Sequence, residues 1–573
     1  MTNSSPSDPA QAAAAMARAP GSHPETNAPS LRSDYIARNQ TRFLEAVNRF
    51  NRESPPGPSG VFAGLFAFHW LRQEIHPRYR QAILAVSRNP DHAWLADLLD
   101  QAPDPEHFVS RFLDHWQHAP PDHPKAAALR NWHLQHPVDP QAAILAIWQR
   151  MTPFRHALQV GIRHIQSRQK EIAAETGGPL DQERMALVDH LPSPGTVRPW
   201  SKVGFIPRMA CSQSCRHCLF VWRDPIRHPL DPTPLLHWID QQTSSLLFTG
   251  GELHDQLPLF HQAIREMERV QAFAILLNGA SADSLDAART LFGSLEEART
   301  RRSARSRPAT ITLQISCDEY HQEILAHRDG SFQERIPVAH IAHLIRASVD
   351  FPHIRLVLLH KQNRLNFSRA LLEQGVIARL IRTLQAQGEE LRLIRHALSP
   401  RPKADPVDRN RTGPIIRDAV FALASHPDHP IHWMSSTLDA YGRAALLDPS
   451  EYVNERLYLR EILDHGAPDG ERFDTDPMIR ADGMVSCFGA NHLWLGDLGQ
   501  ESRETIRARH GKDPLLQALE RFDPRVPRFY QECAQDLETR IAQATGPHHL
   551  WHLLTERAAM RLYLTRRLLG IPG

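Results

Sequence analysis

VGFIPRMACSQSCRHC (203–218) opens with a short apolar run, breaks at Pro207, and then sets Cys211, Cys215 and Cys218 within eight positions. The run 203–206 has the length of a buried strand and is too short for a helix. Working outward, similar runs recur at 245–249, 273–277, 310–315, 354–359 and 391–394. Helical stretches at 257–270, 284–295, 337–348 and 369–387 lie between them. Strands that alternate with helices pack as a parallel sheet, so residues 200–400 predict an α/β fold built as a partial (β/α)6 barrel. Such barrels carry their chemistry at the C-terminal ends of the strands, and the cysteines follow the first strand.

The flanks read differently. Residues 1–33 are rich in Ala, Pro, Ser and Asn without apolar periodicity, which predicts a disordered tail. Residues 34–190 predict an all-helical domain, with Phe108, Phe112 and Trp116 recurring every four residues and Ile144, Ile147 and Trp148 on one face after Asp139-Pro140. Proline-rich breaks at 54–59 and 119–124 separate these helices. Glu74 and His76, lacking a second Glu/His pair, do not make a di-iron signature. Residues 191–200 read as a linker, and 399–414, rich in Pro, Arg and Asp, as an exposed loop. Residues 415–573 predict an α+β extension. In it, 478–479 and 484–487 flank the hairpin signal Asp482-Gly483, and helices cover 514–542 and 548–569. Arg557, Arg561 and Arg567 are expected on the solvated side of the last helix.

Composition narrows the function classes. A chain of 573 residues exceeds one core and suggests about three or four units. Lys+Arg 66 against Asp+Glu 64 leaves +2, so no charge imbalance points to nucleic acid or an acidic membrane. The 41% hydrophobic and 23% charged residues fit a globular chain and exclude a wholly disordered one. High Pro (45) implies many helix stops, and the 34 histidines are scattered, as surface residues would be. Six cysteines, three of them clustered, are a metal site in a reducing compartment rather than a disulfide framework. No secretory signal opens the sequence, and the apolar run 61–71 falls short of the ~20 residues of a membrane helix, so a cytoplasmic location is expected.

Three thiolates on one short loop, spaced by three and then two residues, can converge on a metal or on a cluster face. Structural zinc takes four ligands, and no fourth cysteine lies nearby; His217 is the available fourth donor, awkwardly placed between two ligating positions. A four-iron cubane held by three thiolates instead leaves one iron open for a small molecule.

These residues resemble the radical S-adenosylmethionine (SAM) superfamily, whose motif is C-x3-C-x2-C after the first strand of a TIM-like barrel. His217 stands where many members carry an aromatic residue. The second strand ends Phe248-Thr249-Gly250-Gly251-Glu252, similar to the superfamily's Gly-Gly-Glu element, which holds the SAM amino group. Asn278-Gly279 after the third strand resembles the superfamily's Asn-Gly position near the ligand, and Ser316 and Asp318 after the fourth resemble positions that contact the SAM carboxylate or ribose. His360, Asn363 and Asn366 follow the fifth strand and could line the pocket. Asn, Ser and Asp also favour strand ends as turn residues, and that alternative stays open. The segment Ile479 to Cys487, followed by Leu495-Gly-Asp-Leu498, resembles a degenerate SPASM-type extension. Only Cys487 and Cys533 lie beyond the barrel, too few for an auxiliary cluster. With Cys317, they are expected as small buried residues, with hydrogen-atom donation to a substrate radical the alternative.

The resemblance implies that Cys211, Cys215 and Cys218 hold a [4Fe-4S] cluster and that Gly250, Gly251, Glu252, Asn278, Ser316 and Asp318 bind SAM. Reductive SAM cleavage would release a 5′-deoxyadenosyl radical for hydrogen abstraction, with a flavodoxin- or ferredoxin-like protein as electron donor. The SPASM likeness favours a peptide or protein substrate, with a small molecule the alternative, and no catalytic side chain beyond the cofactor ligands is singled out. Two other classes remain open: a non-catalytic metal-binding scaffold and an iron–sulfur electron-transfer protein.

Overall fold

The computed structural model describes residues 152–572, apart from 193–198, 222, 304–305, 327–331, 369, 374, 407–411, 448, 469–471 and 489. The expected tail 1–33 lies outside the described residues. So does most of the expected helical domain, including Glu74, His76, Phe108, Phe112, Trp116, Ile144, Ile147 and Trp148.

Two helices come first, α1 (Thr152–Glu175) and α2 (Pro179–Asp189). Strand–helix alternation follows: β1 (Val203–Ile206), α3 (Pro232–Gln242), β2 (Ser245–Phe248), α4 (Leu257–Glu266), β3 (Ala272–Leu277), α5 (Leu285–Thr300) and β4 (Thr310–Ser316). A short hairpin, β5 (Ile324–Ala326) and β6 (Phe332–Glu334), precedes α6 (Val338–Ser348), β7 (Ile354–Lys361) and α7 (Gly375–Ala386). Then come β8 (Leu391–Leu398), β9 (Lys403–Ala404), β10 (Thr412–Gly413), β11 (Ile416–Leu423), β12 (His426–Ser436) and α8 (Arg456–His465). The last strands are β13 (Pro477–Arg480), β14 (Met484–Cys487) and β15 (Gly496–Asp497). Helices α9 (Arg503–Lys512), α10 (Pro514–Glu520), α11 (Arg525–Cys533), α12 (Leu537–Gln543), α13 (Pro547–Thr555) and α14 (Ala558–Leu568) complete the chain.

The fold is α/β around one mostly parallel sheet of 11 strands in the order β15-β14-β13-β1-β2-β3-β4-β7-β12-β11-β8. From β13 to β12 every neighbouring pair is parallel, with registers such as Phe205↔Phe248 and Leu277↔Ile315. Parallel strands need crossovers, and α3 to α7 supply them. Local chemistry sets their starts: Asp231 accepts from Thr233 N (3.0 Å) with Pro232 opening α3, and Ser284 accepts from Ala287 N (3.2 Å) ahead of α5. All four residues of β1 are buried, as a strand covered on both faces requires. Phe205, Phe248 and Phe260 meet edge to face between sheet and helix, with centroids 5.1 and 5.0 Å apart.

Five of the six expected strands occupy consecutive positions in this sheet, and the sixth differs. Residues 391–394 lie in β8, which pairs antiparallel with β11 at the edge; β12 is the strand parallel to β7. The hairpin at Asp482-Gly483 forms as β13 and β14, and β13 extends the main sheet beside β1. The 399–414 segment is not simply an exposed loop, since β9 pairs with β10 and Ser399, Lys403 and Asp405 are buried. Trp200, expected in a linker, is in the core and bridges to Thr243. Arg561 is fully buried on Asp181 rather than solvated, because α2 covers that side of α14.

Candidate functional site

The site begins where β1 ends. Past Ile206 the chain bends at Pro207 and runs on to Ala210, with the end of β2 alongside it. Thr249 N donates to Phe205 O (2.9 Å), Gly251 N to Arg208 O (2.8 Å) and Glu252 N to Ala210 O (2.9 Å). Two glycines are needed for this approach. Gly250 has φ +131°, and a β-carbon on Gly251 would stand 2.2 Å from Ala210 O. With the Gly251 and Glu252 N–H groups committed, the segment's carbonyls and carboxylate are acceptors suited to an ammonium group.

Glu252 is thereby laid against the cysteine loop. Its Oε2 accepts from Ser212 N (3.1 Å) and Ser212 Oγ (2.7 Å), and its Oε1 from Asn278 Nδ2 (3.3 Å) at the end of β3. Burial opposes its charge, but the hydrogen bonds from Ser212 and Asn278 outweigh it and hold the carboxyl below its ordinary value.

All three loop cysteines are free thiols, Cys215 buried and the other two half-buried. The sulfurs of Cys211 and Cys218 each meet a donor. Gln213 N lies 3.4 Å from the Cys211 sulfur, and Phe220 N 3.4 Å and the Arg223 guanidinium 3.8 Å from that of Cys218. Arg223 also clamps the loop backbone at Cys211 O (2.7 Å) and Gln213 O (3.1 Å). Burial pushes the Cys211 thiol up, against the Gln213 N–H and the Arg223 cation.

The residues between the cysteines fasten the loop to distant segments. Arg216 bonds Glu323 Oε1 (2.6 Å) and Glu451 (2.7 and 3.2 Å). Burial works against that cation, but Glu451 and Glu323 outweigh it and hold its pKa above the ordinary arginine value. Arg335 joins Glu323 Oε2 (2.8 Å) to Ser214 Oγ (3.0 Å). Behind the loop, Gln169 on α1 donates to Leu219 O (2.9 Å) and accepts from Val221 N (2.7 Å).

Ser316 and Asp318 stand buried at and just past the end of β4. Asp318 Oδ1 accepts from Tyr320 N and His321 N, both 2.9 Å, while Oδ2 lies 2.9 Å from His321 Nδ1. Burial would raise this carboxyl, yet His321, by charge and hydrogen bonds, holds it far below its ordinary value. His321 is driven well above its own, because Asp318 and then Cys215 outweigh burial. His217 stacks on Tyr320 with centroids 4.8 Å apart, and burial takes it down to about 3, so its ring is neutral. Ligand atoms of His217, Asp318 and His321 lie within 4.8 Å of one another, a spacing a metal ion could bridge.

Of the expected site residues, the structure thus brings together Gly250, Gly251, Glu252 and Asn278 with the loop carrying Cys211, Cys215 and Cys218. Asp318 reaches the same loop through His217 and His321, as a turn former whose oxygens are occupied. His360, Asn363 and Asn366 are buried and serve the strand ends: His360 Nδ1 meets Cys317 O, Asn363 and Asn366 form a capping box, and Asn366 donates to Ile416 O. Cys317 and Cys487 are buried as expected, whereas Cys533 is exposed, beside Met560. Sequence reasoning missed Gln169, Arg223 and His321. Arg223, five residues past Cys218, and His321, three past Asp318, carried a positional signal; Gln169 carried none.

No protein-family model matches this chain, and no curated protein matches it.

Proposed function

We propose that this chain is a radical SAM enzyme, its parallel strands forming a partial (β/α)6 TIM-like barrel with a degenerate SPASM-like extension. The observation that carries the reading is the Gly250-Gly251-Glu252 segment paired along the β1 extension, which holds Glu252 against Ser212, next to Cys211. The three thiols suit a cubane: all are free, Cys211 and Cys218 have a nearby N–H donor, and the loop carrying them is clamped by Arg223 and Arg216. Cys211, Cys215 and Cys218 would hold a [4Fe-4S] cluster, which, once reduced, supplies the electron that cleaves SAM and yields a 5′-deoxyadenosyl radical for hydrogen abstraction. Glu252, kept ionised, and the glycine carbonyls would receive the SAM ammonium group, and Asn278 would orient Glu252. A flavodoxin- or ferredoxin-like protein in a reducing, cytoplasmic setting would deliver the electron. A peptide or protein is the favoured substrate class, with a small molecule as the alternative.

One observation favours a second reading. The His217, Asp318 and His321 group could hold a mononuclear ion and make the chain a metal-binding scaffold.

Anaerobic reconstitution separates these cases. The expected result is four irons and four acid-labile sulfides per chain, with 5′-deoxyadenosine formed on adding SAM and a strong reductant. Alanine at any one of Cys211, Cys215 or Cys218 should abolish it; full activity in such a variant would reject the assignment. Glu252→Gln should weaken SAM binding about tenfold with iron unchanged. Zinc in place of iron supports the scaffold, and a cluster that leaves SAM intact supports electron transfer.

A further inference from the structure

Strand β8 forms one edge of the sheet, and among the described residues no strand pairs with its outer side. The opposite edge strand, β15, has two residues, whereas β8 has eight. Covering one face of a strand buries every second residue, yet residues 394–398 are all exposed, so neither face is covered there. Leu393 faces Phe421 and Arg395 faces Val420, which leaves Ile394 as a bulge. Beyond it, 395–397 keep an unbroken register on Val420, Ala419 and Asp418. A backbone row that ends in solvent beside apolar side chains is a template for another strand. Ile394 and Leu398 flank this row at 55% and 49% exposure, and Met434, level with Ala397 through Asp418, is 44% exposed. β8 also runs in the direction of β7, because β12 is parallel to β7 and the β12–β11 and β11–β8 pairs are both antiparallel. Its C-terminal end therefore lies at the sheet end that carries Asn278 and Ser316, about 19 Å along the sheet from β4 at the usual strand spacing.

Charge decides what fits this edge. β8 has no acidic residue. Glu390, just ahead of it, is held by Arg392 (2.7 Å), and Asp418 on β11 by Arg417 (2.7 Å). Arg395 and His396 form no side-chain hydrogen bond or ion pair among the described residues. The row from Arg395 through Val420 continues to His432, which lies 3.2 Å from the Arg355 guanidinium. A second copy of this chain would set Arg392, Arg395 and His396 against themselves, and like charges on facing strands repel. Nucleic acid would engage the cations and leave the backbone row and the apolar side chains uncovered. We infer that β8 docks an extended acidic segment of a polypeptide partner by strand addition. Main-chain hydrogen bonds to 395–398 supply the affinity, carboxylates beside Arg395 and His396 supply the selectivity, and apolar side chains of the segment rest on Ile394 and Leu398. The docking goes beyond the radical SAM reading and requires no cluster.

The test is fluorescence anisotropy of a labelled short peptide alternating valine with glutamate, titrated with the full chain. One control peptide replaces glutamate by lysine, and another carries a methyl group on every backbone nitrogen. The expected result is saturable binding of the acidic peptide, about tenfold weaker binding of the lysine peptide, and loss of binding on methylation. Hydrogen exchange should slow at 395–398 when the acidic peptide is bound. Arg395→Glu should bind the acidic peptide about tenfold more weakly, and the lysine peptide more tightly, than wild type does, a reversal that misfolding does not produce. Arg301→Glu, the same charge change at an exposed site past α5, should leave both affinities as they are. No binding, equal affinity for the two peptides, or binding that survives methylation overturns the proposal. So does an Arg395→Glu protein that behaves as wild type, or unchanged exchange at 395–398. A wild type that sediments as a dimer and turns monomeric in Arg395→Glu also overturns it, because a second copy would then hold the edge. A protein that binds the acidic peptide but forms no cubane supports the docking and fails the radical SAM reading alone.

Discussion

A β-carbon at position 251 would stand 2.2 Å from the Ala210 carbonyl oxygen and 2.5 Å from that of Met209. Both are backbone atoms, so no side chain can swing aside; either the end of β2 or the β1 extension must shift. Gly251→Ala should therefore cost about 1–3 kcal/mol in urea denaturation at unchanged m. It should also detach Glu252 from Ser212 and lower SAM binding. Gly413→Ala is the control: nothing lies within 4 Å of its β-carbon, and its stability should stay within about 0.5 kcal/mol of wild type. A Gly251→Ala protein as stable as the control would mean that the two segments do not pair as described. At this scale much of the site was legible in the sequence, because cysteine spacing and a Gly-Gly-Glu at a strand end are local patterns. Arg216 was visible as a residue between cysteines, but its partner Glu451 lies 235 positions away, and only folding brings the two together. Asp318 was visible as a polar strand-end residue; that its oxygens are spent on its own turn and on His321 depends on backbone geometry.

Elements carry the next level of specification. Strands β1 to β4 and β7 could be read because a strand buried on both faces is a nearly continuous apolar run. The sixth parallel position could not. Strand β12 begins His426-Pro-Asp-His-Pro430, which reads as a breaker, whereas Leu391 to Ile394 has the apolar look of a core strand. The β11–β12 hairpin resolves the contradiction: β12 leads into the sheet with its exposed polar end and buries Ile431 and Trp433 only further on, beside β7. Displaced to the edge, β8 leaves Ile394 and Leu398 about half exposed, at 55% and 49%. Helix α1 shows the converse, an element tied to the cysteine loop by one polar side chain. Gln169 both donates to Leu219 O and accepts from Val221 N, just past Cys218. Gln169→Leu keeps the bulk and strands a part-buried carbonyl and a buried amide, so it should cost about 1–2 kcal/mol in urea denaturation. Iron retained after gel filtration should fall with it. Full stability together with full iron content would show that α1 does not hold the cysteine loop.

At the scale of the whole molecule, α1 and α2 are joined to the C-terminal helices by buried charge. Arg561 on α14 donates to both oxygens of Asp181 on α2 (2.9 and 2.6 Å), and Arg184 on α2 to Asp513 (2.6 Å) and Trp494 O (2.7 Å). Side chains of all four charged residues are 0% exposed. Two cations and two anions balance, so the cage is tolerable as a set and costly to break: removing one charge leaves its partner buried and unpaired. Asp181→Asn should therefore destabilise the protein by about 3–5 kcal/mol, more than a typical core truncation of similar size. The double variant Asp181→Leu with Arg561→Met, which removes both charges and keeps the volume apolar, should recover most of that loss, and a double-mutant cycle measures the coupling. Because α1 runs into α2 and also carries Gln169 to the cysteine loop, loosening the cage should lower iron retention in Asp181→Asn and restore it in the double variant. Guanidinium denaturation of the wild type and the three variants, each with its iron content, tests both links at once. A cost below about 1 kcal/mol for Asp181→Asn would mean that water reaches the cage. A full cost with unchanged iron would mean that the cage stabilises the helices without steadying the loop.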